Sequence, residues 1–282
     1  MVLLNGLGFG GWIDQAIKLA QAGSTTAPAP TTTNTPPPAA PANTGADDRS
    51  VDKMEPRKKT QAVSNPFATA DVSNGYFGPG KNVVFIGDSH TEPGRGRFPF
   101  GKRMEDDMKA TGSNVTTVAH SGASPWHYTS GKHGKYNDEL VKALKQQPPP
   151  DTVVIALGTN FKTDADSSAA SARADVKMLT DEVRKYAPNA KIVWVGRPIE
   201  ATDHGKGVEN VGKFDANMSK AAEKYKIGYV SSLEGTKVDP NAKLPANYYS
   251  GEHIRDKQAG ERWADSVISG ILRLPPQVTP NK

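Results

Sequence analysis

Asn82-Val83-Val84-Phe85-Ile86-Gly87-Asp88-Ser89 is the stretch on which the fold of this chain turns. A β-branched and aromatic run closed by glycine reads as a buried strand of a parallel sheet. A serine just past the carboxyl end of such a strand lies where open α/β sheets build their ligand crevices. The runs at 114–119, 152–157, 191–195 and 227–230 read as further strands. Between them, helical spacing is found over 100–110, 137–146, 167–186 and 208–225, and a last helix over 258–272. Met104 and Met108, then Leu140, Val141 and Leu144, then Ala172, Val176, Leu179 and Val183 mark inward faces.

Strands alternating with helices predict a parallel sheet covered on both sides. The expected fold is α/β: a flavodoxin-like three-layer α/β/α sandwich on a mainly parallel five-stranded sheet. It occupies residues 79–275, with a short tail at 276–282.

The material before it has another character. Thr25 to Pro41 is nearly all Thr, Ala, Pro and Asn, which cannot bury enough apolar surface to fold. The charged run from Asp47 to Lys59 continues it, so residues 23–78 read as an extended linker. In residues 1–22, Trp12, Ile13, Ala16, Ile17 and Ala20 recur at helical spacing opposite Asp14, Gln15 and Lys18. That pattern suits a segment docking on a membrane surface or a protein assembly, and equally a weak export signal. Gly6, Gly8 and Gly11 spell a dinucleotide-type fingerprint, but no strand can precede them and no βαβ unit follows.

The 282 residues include no cysteine, which removes disulfides and thiolate chemistry. A net charge of +5 is spread among acids, and Arg57-Lys58-Lys59 is the densest basic run, so no nucleic-acid partner is expected.

Polar residues gather after the strands: Ser89 after the first, His120-Ser121-Gly122-Ala123-Ser124 after the second, Gly158-Thr159-Asn160 after the third. Gly251-Glu252-His253 precedes the last helix. Together these four blocks resemble the SGNH (GDSL-like) hydrolase family, whose signature residues are Ser, Gly, Asn and His in this order. The resemblance covers about residues 80–275 and implies ester hydrolysis. It casts Ser89 as nucleophile and His253 as the base that takes its proton. It also casts the Ser89 and Gly122 amides and the Asn160 side chain as donors to the developing oxyanion.

One departure stands out: the family's usual aspartate, three residues before the histidine, is Ser250 here. A Ser-His dyad or an incomplete triad is the consequence. A hydroxyl or backbone carbonyl at the orienting position can still hold the imidazole tautomer, whereas Asp256 and Asp239 have the wrong spacing.

Asp88 is expected to fix the turn after the first strand. His90, His120, His127 and His133 match no metal-ligand spacing, so neither metal nor cofactor is expected. Asp203-His204 reads as a surface loop. Trp126, Tyr128 and Tyr249 flank the presumed site and are candidates to line it, through stacking on sugar rings.

The expected substrate is therefore a small O-acyl ester, O-acetyl above all, on a polysaccharide or other O-acylated glycan. The tag-and-linker layout suits the cell envelope or a phage particle. The rival reading is a weak or inert module of the same fold, with a structural or glycan-binding role, for which Ser250 is the main support.

Overall fold

A computed structural model describes residues 65–93, 98–160, 168–201, 208–237, 244–250 and 253–277. The expected docking segment 1–22, most of the linker and Asp203-His204 lie outside the described residues. The sheet consists of β1 (Asn82–Gly87), β2 (Asn114–Ala119), β3 (Thr152–Ala156), β4 (Lys191–Val195) and β5 (Gly228–Val230). Its order is β2-β1-β3-β4-β5, and every pairing is parallel. This is the flavodoxin-like arrangement expected from the alternation of runs.

The helices are α1 (Pro99–Ala110), α2 (Asn137–Leu144), α3 (Ala169–Tyr186), α4 (Val208–Lys224), α5 (Leu233–Thr236) and α6 (Lys257–Leu272). They divide by the two-residue period of the strands. Val84 and Ile86 face one core with Leu140 of α2, Leu179 of α3 and Met218 of α4. Val83 and Phe85 face the other, with Met104 of α1 and Val267 of α6. α1 and α6 approach closely: Phe100 stacks on Trp263 with ring centroids 3.5 Å apart. A Cβ on Gly260 would come 2.7 Å from Pro99 Cβ, so glycine is required where the helices cross.

Two features differ from expectation. Residues 65–78, assigned by composition to the linker, pack on the domain: Phe67, Tyr76 and Phe77 are buried in the α1–α6 core. Asn65 donates from Nδ2 to Asp107 Oδ1 at 2.7 Å, and Asn74 Nδ2 donates to Ile271 O at 2.8 Å. Three aromatics give that stretch an apolar area that the Thr/Pro run lacks. The second feature is a small antiparallel pair, β6 (Tyr249–Ser250) and β7 (His253–Ile254), outside the main sheet. Strands this short carry no readable alternation.

Two registers position the site. Gly87 lies level with Ala119 of β2 and with Ala156 of β3. The loops after β1, β2 and β3 therefore start from one plane, at the carboxyl edge where the strand order reverses.

Candidate active site

The turn after β1 is tied from several directions. Asp88 Oδ1 accepts from the His90 amide at 3.1 Å. The Asp88 carbonyl accepts from the Thr91 and Glu92 amides at 3.0 and 2.9 Å. Asp88 thus holds the turn. The Gly87 carbonyl accepts from the His120 amide at 3.3 Å and from the Tyr128 hydroxyl at 2.6 Å. Ser89 emerges from this frame nearly covered, at 7 % exposure.

Tyr128 does not line the crevice, as the sequence suggested; it is fully buried, and its hydroxyl serves Gly87. Burial, with Asp88 nearby, pushes the Tyr128 hydroxyl pKa up, so it stays a neutral donor.

The loops after β2 and β3 are stitched to each other. Asn160 donates from Nδ2 to the Ala123 carbonyl at 2.9 Å, and Ser124 Oγ donates to the Asn160 carbonyl at 3.3 Å. A primary amide has a second N–H beyond the one this bond uses. Gly122 is exposed with φ at +73°, a left-handed backbone that a side chain disfavours.

His253 arrives on the β6–β7 pair, and its Nε2 lies 2.6 Å from Ser89 Oγ. That is hydrogen-bond distance between a hydroxyl and an imidazole from residues 164 apart in the chain. Directly across from His253 stands Ser250, exposed. Asp256 is engaged at the start of α6, where its carboxylate accepts from the Ala259 amide at 2.8 Å. Asp239 lies outside the described residues.

Around the His253 ring is a cluster that the sequence reading missed. Phe98 stacks on it with centroids 4.9 Å apart and planes at 15°. His90 touches it at 4.6 Å, and Trp263 meets His90 edge-on at 5.2 Å. The available signal was slight: one phenylalanine before Pro99, the residue that opens α1. His90 is buried, and its Nε2 has no partner among the described residues. It borders a cavity of about 10 Å³, the size of one water, together with Asp88, Thr159, Arg197 and Trp263.

The remaining candidates disperse. His120 stacks on Tyr136 at 3.8 Å, with Nε2 2.8 Å from Glu139. His127 Nδ1 accepts from the Ser124 amide at 2.9 Å, and His133 is exposed. Among the described residues, no three metal-ligating side chains converge. Trp126 and Tyr249 are half-buried, with Tyr249 edge-on to Tyr248 at 4.8 Å.

Residues 85–258 match the family described as GDSL-like lipase/acylhydrolase. No curated protein matches the chain. Among solved structures it is similar to a variant of an acetyl xylan esterase from Geobacillus stearothermophilus. The two are 16 % identical, with a TM-score of 0.52 over 70 % of this chain and 96 % of that one. Catalytic mutants of that esterase have been solved at a serine, at an aspartate, and at a histidine three residues past the aspartate. An α/β hydrolase from the metagenome of Lake Arreo is 15 % identical, with a TM-score of 0.51 over 69 % of this chain and 96 % of its own. A GDSL-like lipase from Parabacteroides merdae, described as putative in its own name, is 16 % identical, with a TM-score of 0.50 over 70 % and 98 %. At these identities the likeness is one of fold.

Proposed function

The chain belongs to the GDSL-like lipase/acylhydrolase family and is a serine esterase of the SGNH type, and from that premise we propose that Ser89 and His253 remove small O-acyl groups, acetyl foremost, from a carbohydrate polymer. The distance of 2.6 Å between Ser89 Oγ and His253 Nε2 carries the reading. With Nδ1 protonated, Nε2 has the lone pair that accepts the hydroxyl proton as Oγ attacks the ester carbonyl. The tetrahedral oxyanion is met by the Ser89 and Gly122 amides and the second N–H of Asn160.

Collapse of this intermediate breaks the ester C–O bond. The proton passes from His253 to the departing sugar oxygen, and Ser89 is left acylated. Water then repeats the sequence: it gives a proton to Nε2, attacks the acyl carbon, and the acid leaves as Ser89 regains its proton.

Two observations support a carbohydrate substrate. A structural neighbour acts on acetyl xylan, and Trp126 follows the Gly122 loop half-exposed, as a ring that stacks on sugars does. That neighbour has an aspartate three residues before its histidine. Here Ser250 stands at that spacing, so the pair works as a dyad or with a weaker orienting group. In this reading residues 1–22 and the linker tether the esterase close to its polymer, in a cell envelope or on a phage particle.

The test is hydrolysis of p-nitrophenyl acetate, and acetate release from acetylated xylan, by wild type and Ser89→Ala. We expect Ser89→Ala to lose on the order of 10³-fold or more. Equal rates in the two proteins would remove the assignment of Ser89. Turnover of the nitrophenyl ester with no acetate from acetylated polysaccharides would remove the glycan.

A further inference from the structure

We propose that Phe98 is a positioning residue for His253, holding the imidazole plane by ring packing. This rests on the reading of His253 as the base. An imidazole joined to its backbone by two rotatable bonds must present Nε2 to Ser89 Oγ, and rotation about either bond removes it. In the acetyl xylan esterase, changes to an aspartate three residues before a histidine are catalytic mutants. In this chain that place holds Ser250, whose side chain is exposed.

Among the groups that meet the imidazole is a flat ring. The planes of Phe98 and His253 differ by 15°, and their centroids are 4.9 Å apart. A near-parallel stack leaves the imidazole free to slide but opposes its rotation out of plane. Phe98 is itself held. His90 packs on it at 5.6 Å, and the Arg255 guanidinium lies over it, 5.6 Å from the centroid. His90 in turn touches His253 at 4.6 Å. Three rings therefore meet pairwise, and one of them belongs to the residue next to the nucleophile. Pro99 at the first position of α1 fixes the backbone from which Phe98 projects.

Phe98→Leu keeps apolar bulk and removes the plane, while Phe98→Tyr keeps the plane. A loosened base costs turnover rather than binding, because misplacement by about 1 Å can cost up to about 10²-fold in rate. On p-nitrophenyl acetate, Phe98→Leu should lower kcat about tenfold with KM within about twofold, and Phe98→Tyr should retain kcat within about threefold. In wild type, the His253 ring protons should show an upfield ring-current shift in NMR spectra, which Phe98→Leu abolishes and Phe98→Tyr keeps.

Unchanged kcat in Phe98→Leu would overturn the inference, and so would a raised KM at constant kcat, which marks a wall of the substrate site. If Phe98→Leu is impaired in this way while Ser89→Ala is inactive, both readings stand. Wild-type kcat in Phe98→Leu beside an inactive Ser89→Ala sinks the ring-packing role alone. An active Ser89→Ala sinks both.

Discussion

The two halves of the candidate site are built by different means. Ser89, Gly122 and Asn160 follow three adjacent strands whose ends lie level, and hydrogen bonds among backbone and side chains lock their loops together. His253 stands apart from that sheet. It rides on a pair of two-residue strands, with an exposed serine across from it and aromatic rings beside it. Electrostatic stabilisation needs donors fixed before charge develops, and a sheet edge provides that rigidity. A base must aim Nε2 at the hydroxyl, and packed rings can hold that direction. On the proposed reading, the loops of the oxyanion side are tied to each other by hydrogen bonds, while aromatic rings pack beside the proposed base.

Asn160→Ala breaks the rigid half. It removes both the bond to Ala123 and the donor proposed for the oxyanion. Steady-state kinetics should show kcat lower by about 10²–10³ with KM little changed. A KM effect alone would mean that Asn160 binds substrate and that the first half of the comparison is wrong.

Ser250→Asp sharpens the other half. Residues directly opposite on an antiparallel pair project from the same face, so a carboxylate there stands beside the imidazole. If ring packing carries much of the orientation, kcat should rise only on the order of tenfold, less than the roughly 10⁴ lost when other triads lose the acid. Unchanged kcat would show that another group already satisfies the ring.

The smallest effect concerns the scaffold of the base side. Asp107 on α1 is fully buried. Burial pushes its carboxyl up to about 7, against the Asn65 amide and Arg103 guanidinium, which favour the anion, while Asp265 on α6 raises it further. Between about pH 4 and 7 the folded state keeps a proton that the unfolded chain has released. Stability therefore falls as pH rises through that window and levels off above it. The fall should be on the order of 2–4 kcal/mol in urea unfolding, and Asp107→Asn should flatten it. Hydrogen exchange should locate the loss at α6 rather than at β1; a uniform loss would erase the distinction between the halves.

The outline of the sheet was legible because parallel strands buried on both faces need unbroken apolar runs, and residues 83–86, 153–156 and 192–195 have them. The helices were legible from their inner faces, though Val141 is only half-buried. Tyr128 was misread because adjacency in sequence says nothing about which way a short 3-10 turn points its ring. The packing of residues 65–78 was hidden by the Pro/Thr run before it, although Phe67, Tyr76 and Phe77 offered a signal.

Alone, the amino-acid order determined the layered architecture and the four polar blocks, since both depend on local pattern: side-chain period, and which residues follow a strand. Folding decided the rest. It brought His253 against Ser89 across 164 positions and placed Phe98 on its ring. Such contacts between distant segments arise from how layers pack, and a two-residue strand or a single phenylalanine leaves no periodic trace of them.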